Sequence, residues 1–343
     1  MSSDIHSANK AVIATLRAVL YNYDHDSVRT MLASTFDADA RVQLAYPFET
    51  MEGPAELFER AYAPLQHAIP DLERRDTIVM AGQTHHGDNW VGCCGYYTGS
   101  FERPDIPPTG HQIAMRFHEF YRIEARRVVE MQALWDIPEV MMQANAWPMV
   151  PSLGREWQVP SPAPQNGLVP GPRDEARANA SLKLVGDMCD SLGDYATGGV
   201  EGMQLEKYWH PRCSWYGPSG IGTGRGIAGF RNWHQIPFLN GLPDRVGDAG
   251  KGHLFADGDF VGFTAWPGMH MSVSGDGWLG IAPAGQKITM RSLDFWRCEN
   301  GLIRENWVLV DLLHVYHQLN VDVFARLREF NKARPQMPGL SPN

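Results

Sequence analysis

Carboxylates set among apolar residues are the first groups in this sequence that suggest chemistry. Asp311 follows Val-Leu-Val and precedes Leu-Leu-His-Val-Tyr, and Asp136 follows Ala-Leu-Trp in a similar setting. An ionised carboxylate in such surroundings is costly unless it is paired, and burial raises its pKa toward the range of a general base. Asp311 and Asp136 are therefore candidate acid/base residues.

Both acids also fit a purely structural role. Asp is a favoured N-cap residue, and a helical pattern begins directly after each of the two. Asp136 fits this role especially well, because Pro138 stands where the first helical turn would begin. From the residues alone, a helix-capping role and a catalytic role are both open for the two acids.

A β-hairpin around Asn300-Gly301 predicts which side chains accompany Asp311. Asn-Gly suits a two-residue type I′ turn, which would pair Asp294 with Trp307 and place Met290 opposite Asp311. Because side chains alternate between faces, we expect Asp294 and Asp311 on one face. Along the strand they would be roughly 13 Å apart at ~3.3 Å per residue, too far for direct contact.

A similar pattern of residues earlier in the chain, at 113–145, offers a second pair of acids. The same count groups Glu119 with Asp136, and two acids in one apolar cavity can divide the acid and base roles. Asp294 and Glu119 are therefore candidate partner carboxylates, with a solvated strand acid or an Arg partner as the alternative. His86 is a further candidate in this copy, although loop histidines are usually solvated.

Trp and His side chains are concentrated in the second half of the chain. Such side chains can line a cavity for a flat, oxygenated molecule, and an ordinary aromatic core is the alternative. His270 lies in "PGMHMSVSGDGWLG", a Gly-rich segment predicted to cover a cavity mouth, and is a catalytic candidate. The candidates for substrate binding are Trp307, His234, Trp266, Trp296 and Tyr216.

No metal or cofactor site is predicted. Asp311, His314 and His317 have helical spacing, but zinc-binding helices more often use i, i+4 spacing with a third ligand elsewhere. The "GIGTGRG" segment lacks the parallel βαβ context of a dinucleotide site, so it is read as a turn before a helix.

An internal repeat explains why the two acids have such similar surroundings. Residues 110–145 and 285–320, aligned without gaps at an offset of 175, are identical at 13 of 36 positions. The chain is therefore predicted to contain a duplicated domain, with copies at 1–147 and 174–334. Residues 148–173 form a Pro/Gly-rich linker between them, on which Trp157 and Leu153 are expected to dock against one domain.

Each copy reads as helices followed by short strands. Apolar residues three and four apart predict helices from Asn9 and from Ala176, and a second helix follows a Gly-containing turn in each copy. Three strands and a short C-terminal helix complete the copy. This order predicts an α+β fold with a curved, mostly antiparallel sheet.

The repeated segment resembles SnoaL-type, polyketide-cyclase-like members of the nuclear-transport-factor-2-like superfamily. The matching positions in the first copy are Pro108-Thr109-Gly110, Arg122, Asp136 and Gln143, and those in the second are Gly285, Arg297, Gly301-Leu302-Ile303, Asp311 and Gln318-Leu319. Arg126-Arg127 replaces the usual Gly-Lys, and Ala284 replaces the usual Thr. The resemblance covers about two thirds of each half.

The resemblance implies two cone-shaped domains, each with an internal cavity. It also implies that the Asp that closes the last strand acts as general acid/base in a ring closure that needs no metal or cofactor. The superfamily includes non-catalytic members, so the fold alone does not establish activity. The two copies are expected to pack through the convex sides of their sheets as an intramolecular pseudo-dimer, with further oligomerisation possible.

The bulk properties exclude several classes of protein. A net charge of -9 argues against a nucleic-acid-binding surface, and no apolar run approaches the ~20 residues that cross a bilayer. The five cysteines form no CxxC pair and the N-terminus has no apolar core, so we expect a cytoplasmic protein whose partner is a small molecule.

These observations lead to a functional hypothesis with two alternatives. The preferred hypothesis is a cofactor-free cyclase, isomerase or dehydratase acting on an oxygenated cyclic or polyketide-like molecule, with the second domain as the active one. Asp311 is its principal acid/base residue, and the side chains expected to shape the pocket are Trp307, Asp294, His270 and His234. Hydrolysis of an ester or epoxide by water activated at the same Asp is one alternative. A non-catalytic ligand-binding or scaffold protein is the other.

Overall fold

The protein consists of two α+β halves joined by the linker, which confirms the predicted fold class. The computed structural model describes residues 4–102, 106–247 and 252–332. The first half contains α1 (Ile5–Tyr21), α2 (His25–Thr35), β1 (Phe36–Leu44), β2 (Glu49–Glu52), α3 (Gly53–Leu57), a π-helical turn (Phe58–Tyr62), α4 (Ala63–Ala68), β3 (Glu73–Gln83), β4 (Asn89–Ser100), β5 (Gln112–Glu124), β6 (Arg127–Trp135) and α5 (Ile137–Gln143).

The second half repeats this order with additions. It contains α6 (Glu175–Leu192), α7 (Tyr195–Gly202), α8 (Leu205–Tyr208), β7 (Trp209–Tyr216), β8 (Thr223–Arg225), α9 (Gly226–Phe230), a second π-helical turn (Arg231–Gln235), α10 (Ile236–Gly241), β9 (Val246–Gly247), β10 (Gly252–Asp257), β11 (Phe260–Ser272), β12 (Lys287–Glu299), β13 (Leu302–Val310), α11 (Leu312–Gln318) and α12 (Val323–Lys332). No helix of the described residues is long and apolar enough to cross a membrane.

Each half has one curved sheet. The strand order is β2-β1-β6-β5-β4-β3 in the first half and β10-β11-β12-β13-β7-β8 in the second, where β9 also pairs with β11. The β1–β6 and β7–β13 pairs are parallel and the other pairs are antiparallel. Among the candidate acids, Glu119 lies on β5 and Asp294 on β12, whereas Asp136 and Asp311 directly follow β6 and β13.

The predicted register of the β12–β13 hairpin is wrong by one residue. Asn300 and Gly301 both have positive φ, as the predicted turn requires. A β-bulge at Arg304 then leaves one extra residue on β13, so Asp294 pairs with Val308 instead of Trp307. A shift of one residue moves every side chain to the other face. Asp294 and Asp311 therefore lie on opposite faces of the sheet.

The two sheets pack against each other through equivalent residues. Phe120 of β5 stacks on Phe295 of β12 with ring centroids 4.8 Å apart, and Nδ1 of His118 lies 2.7 Å from the carbonyl oxygen of Leu293. Both pairs are separated by 175 residues, the offset of the repeat. The contact therefore has the character of an isologous interface within one chain.

The linker runs along the junction of the halves. The phenol of Tyr96 donates to the carbonyl oxygen of Val159 at 3.0 Å, and the indole of Trp307 donates to that of Pro160 at 3.0 Å. Val159 is buried with side chains of both sheets. The expected contact of Trp157 is also present, since its indole donates to Oγ1 of Thr223.

Candidate functional site

The interior of the first half is filled around Glu119. This side chain has no solvent exposure, and its carboxylate accepts hydrogen bonds from Arg74, Tyr97, Tyr121 and Trp135 at 2.5–2.9 Å. Both carboxylate oxygens are engaged, and the Arg74 guanidinium supplies the opposite charge. The structure thus shows for Glu119 the Arg partner that was expected from the sequence as the alternative to a free acid.

Asp294 occupies the equivalent position in the second half without this network. At the same offset of 175, Phe117 becomes Ser292, Tyr121 becomes Trp296 and Trp135 becomes Val310. The carboxylate of Asp294 accepts a hydrogen bond from Oγ of Ser292 at 2.8 Å. No Arg or Lys among the described residues lies within ion-pair distance of Asp294.

Burial determines the protonation of Asp294. The side chain is 8% exposed on the inner face of β12, and loss of hydration raises its pKa to about 7, against hydrogen bonds from Ser292 and Asn306 that lower it. The inner face around it is apolar, with Met290, Trp296 and Val308 in the same core. A carboxyl with this pKa both accepts and donates a proton near neutral pH.

A cavity of about 670 Å³ lies at the end of the sheet toward which β13 runs. The strand ends at Val310, two residues beyond Val308, the partner of Asp294. Along β13 this is roughly 7 Å at ~3.3 Å per residue, and Asp294 itself is not among the residues that line the cavity. The cavity is lined by Val150, Pro151, Leu153, Gly220, Ile221, Trp233, His234, Ile236, Pro237, Asn240, Asp276, Gly277, Trp278, Leu279, Gly280, Ile281 and Ala282.

His234 joins this cavity to the aromatic interior of the second half. It lies on the second π-helical turn, and its ring stacks on that of Trp215 with centroids 4.0 Å apart. Burial lowers the pKa of His234 to about 3, so the imidazole is neutral at physiological pH. Its Nδ1 is buried and has no partner within the described part of the chain.

Asp311 lies between the halves instead of inside the second one. Its carboxylate caps α11 by accepting from the amide of His314 at 3.1 Å. It also accepts from the amide of Tyr46 in the first half at 3.0 Å and from the guanidinium of Arg291 at 3.1 Å. Burial raises the pKa of Asp311 to about 6, although Arg291 and the two amides lower it. The cap interpretation describes this geometry better than the catalytic one.

Asp136 is arranged in the same way on the other side of the junction. It caps α5 through the amide of Glu139, accepts from the amide of Ser219 in the second half at 2.9 Å, and lies 3.7 Å from Arg116. Burial raises the pKa of Asp136 to about 6. Each closing-strand Asp is therefore a helix cap that also binds the opposite half.

Three predicted substrate-binding residues also lie at the junction, and for Trp307 the cause is the bulge on β13. Trp307 and Tyr216 pack together there with ring centroids 5.3 Å apart, and Tyr216 donates to Glu305. Trp266 packs at its margin under the guanidinium of Arg291. Trp296 and His234 remain on the inner side.

The remaining two histidine candidates lie away from the buried acids. His270 is exposed on β11, where it pairs with Thr289, and it therefore lies on the face opposite Asp294. It was expected in a loop, but β11 extends to Ser272 and the loop begins after it. His86 is exposed in the turn between β3 and β4, where it contacts His85.

The sequence pattern did not identify Ser292 or the linker side chains at the cavity. Ser292 could have been noticed because the equivalent position of the first half holds Phe117. For the linker, Leu153 was expected to dock against one domain, but nothing in the Pro/Gly-rich segment indicated that it lines a cavity. Among the described residues, no cluster of three His, Cys, Asp or Glu side chains is suited to hold a metal ion.

Comparison with known proteins shows that part of the second half matches one protein family. The model of the SnoaL-like polyketide cyclase family matches residues 201–319, which confirms the resemblance drawn from the repeated motif. No curated protein matches the chain.

Solved structures match at about the length of one half. A SnoaL-like protein from Jannaschia sp. is 22% identical over 41% of this chain and 94% of its own, with a TM-score of 0.35. A protein of ketosteroid-isomerase-like fold from Catenulispora acidiphila is 16% identical over 39% of this chain and 92% of its own, with a TM-score of 0.31. An NTF2-like protein from Burkholderia thailandensis is 17% identical over 42% of this chain and 98% of its own, with a TM-score of 0.32.

Proposed function

We propose that the second half is a cofactor-independent acid/base enzyme of the cyclase or isomerase type, with Asp294 as the proton-transfer residue. The observation that carries the proposal is a buried carboxyl with a pKa of about 7 and no cationic partner among the described residues. The match of residues 201–319 to the SnoaL-like polyketide cyclase family supports the reaction class. The substrate is an oxygenated cyclic or polyketide-like molecule.

The reaction requires a proton to be taken from carbon and returned elsewhere. Asp294 as carboxylate removes a proton from a carbon next to a carbonyl group, and the electron pair moves to the carbonyl oxygen as an enolate. The enolate carbon then attacks a second carbonyl to close a ring, or it is reprotonated at another position. In both cases Asp294 returns the proton, so the residue is regenerated.

Trp296 is suited to stabilise the enolate oxygen. It shares the inner face of β12 with Asp294, two residues further along the strand. Its indole N–H is buried and has no partner within the described residues, although buried donors are normally paired. A donor that is already in place and unpaired stabilises negative charge without reorganisation. In the first half the equivalent Tyr121 instead donates to Glu119.

The first half serves as a scaffold in this proposal. The carboxylate of Glu119 is neutralised by Arg74 and held by three further donors, so this acid is not free to transfer a proton. The first half also supplies the amide of Tyr46 to Asp311, which positions the start of α11.

Hydrogen–deuterium exchange tests the proposal without knowledge of the natural substrate. A panel of cyclic 1,3-diketones and aryl ketones is incubated with the protein in D₂O, and label is followed by mass spectrometry. The parent is expected to accelerate exchange at the carbon next to the carbonyl, and Asp294→Asn is expected to lose at least about a hundredfold of that rate. Glu119→Gln, the matched change in the first half, is expected to retain the rate per folded molecule. Retention of the rate by Asp294→Asn would refute the role of Asp294.

A further inference from the structure

The segment that begins the linker is held against the second half by backbone hydrogen bonds. The amide of Arg155 donates to the carbonyl oxygen of Thr223 at 3.0 Å, and the amide of Thr223 donates back at 2.9 Å. The amide of Gly154 donates to the carbonyl oxygen of Ile221 at 2.9 Å. Thr223 begins β8, the edge strand of the second sheet, so the linker extends that sheet beyond its last strand.

The fit between the linker and the second half is tight. A Cβ atom on Gly222 would lie 2.6 Å from the carbonyl carbon of Gly154, so the two backbones approach as closely as glycine allows. A Cβ atom on Gly280 would lie 2.4 Å from Cγ1 of Val150. The indole of Trp147 donates to the carbonyl oxygen of Val150 at 3.0 Å, which holds this end of the segment. The linker is therefore a fixed wall instead of a free tether.

This wall presents apolar side chains to the cavity. Val150 and Leu153 are 38% and 57% exposed, and both line the cavity at the end of the second sheet. Trp233, which lines it from the opposite helix, is 49% exposed. Large apolar side chains clustered around one concavity mark a binding surface, whereas scattered ones do not.

The lining also limits the charge of a ligand. Asp276 is the single charged residue among the described residues that line the cavity, and its carboxylate contacts Asn240 instead of a cation. The aromatic surface comes from Trp233, Trp278 and the neutral His234. An uncharged, ring-containing molecule therefore fits this surface, and an anion does not.

We propose that the linker is the specificity-determining wall of the binding cavity, with Val150 and Leu153 selecting an uncharged, apolar, ring-containing ligand. The assignment of this ligand as the substrate rests on the proposed function of Asp294. The second half alone, which includes the family match, would lack this wall. The specificity of the site is thus set by residues outside the duplicated domain.

A neutral fluorescent probe tests the proposal on the full chain. N-phenyl-1-naphthylamine is titrated against the parent, with the anionic 8-anilinonaphthalene-1-sulfonate for comparison. The parent is expected to bind the neutral probe about tenfold more tightly than the anionic one. Leu153→Asp and Leu153→Trp are expected to weaken the neutral probe by about tenfold, the first by charge and the second by filling space.

Leu168→Asp is the matched control, because Leu168 lies in the same linker, is 50% exposed and does not line the cavity. It is expected to change the affinity by less than about twofold. The proposal is overturned if the parent does not bind the neutral probe, if both Leu153 variants bind it as the parent does, or if Leu168→Asp weakens it equally.

The Asp294→Asn variant separates this proposal from the proposed function. It is expected to bind N-phenyl-1-naphthylamine as the parent does while losing proton exchange. If it retains exchange and the Leu153 variants still lose the probe, the assigned role of Asp294 fails and the cavity wall stands. If exchange is lost and the Leu153 variants bind normally, the wall fails and the acid/base assignment stands.

Discussion

At the scale of the residue, the carboxyl of Asp294 links stability to pH. Burial raises its pKa to about 7 in the folded protein, above the ordinary value of 3.8 that it has in the unfolded chain. Between these values the folded state holds a proton that the unfolded state has released. The free energy of unfolding therefore falls as pH rises through this window and levels off above it.

The variant Asp294→Asn removes this dependence. Relative to the parent, we expect it to gain on the order of 3 kcal/mol of unfolding free energy between pH 5 and pH 8. Urea unfolding of both proteins at the two pH values measures the gain, and Asp311 and Asp136 titrate equally in both. Asp39→Asn, a change at an exposed strand carboxyl, is the control measured at the same two pH values. An equal difference between parent and Asp294→Asn at both pH values would contradict the assigned burial.

At the scale of the element, one extra residue in the β12–β13 hairpin determines which face of the sheet each candidate side chain occupies. The α+β class and the Asn300-Gly301 turn were predictable because they rest on periodicity and on residues with positive φ. The bulge at Arg304 was not, since an Arg in a strand has no local preference that marks it as an extra residue. Trp307 and Asp311 consequently face the junction, whereas Asp294 and Trp296 face the interior.

The burial of both faces of β12 also explains why the sequence did not show which acid, Asp294 or Asp311, faces the interior of the second half. Strands of most antiparallel sheets are buried on one face, which gives a clear alternation of apolar and polar residues. Here Leu293 and Phe295 are buried between the sheets, while Met290 and Trp296 are buried in the core of the second half. Both faces therefore read as apolar, and the pattern alone could not say which one encloses a cavity.

The cap of α11 provides a test at the same scale. Asp311→Ala removes the cap, worth about 1 kcal/mol, and leaves the partly buried amide of Tyr46 without this acceptor, which costs about 1–3 kcal/mol. We expect a loss of about 2–4 kcal/mol in urea unfolding, with proton exchange per folded molecule retained. Asp24→Ala is the control, because Asp24 caps α2 through Ser27 and is not bound to the other half. Equal losses in the two variants would show that the contact with Tyr46 contributes nothing.

At the scale of the whole molecule, the halves are held together by contacts between equivalent residues. Phe120 and Phe295 stack at the centre of this junction, and neither has measurable exposure. Replacing either with Ala is expected to cost about 3–5 kcal/mol in unfolding free energy. The double variant should cost about 1 kcal/mol less than the sum, because the stacking interaction is lost only once.

Phe230→Ala combined with Phe120→Ala is the matched control. Phe230 stacks on Trp209 inside the second half, so its loss should add to that of Phe120 within about 0.5 kcal/mol. Urea unfolding of all single and double variants provides the measurement. Additive losses for Phe120 and Phe295 would mean that the two rings do not interact across the junction in solution.

The covalent connection of the halves has a consequence for how their interiors can differ. In an assembly of two identical chains, every substitution is made twice, once on each side of the axis. Here one copy can acquire Arg74 and Tyr97 around its acid while the other keeps Ser292 beside its own. One half can then become rigid and catalytically inactive. The other half can contain a buried carboxyl that destabilises its fold, because packing against the first half compensates for that loss. The tandem arrangement thus permits a division of labour that strict symmetry forbids.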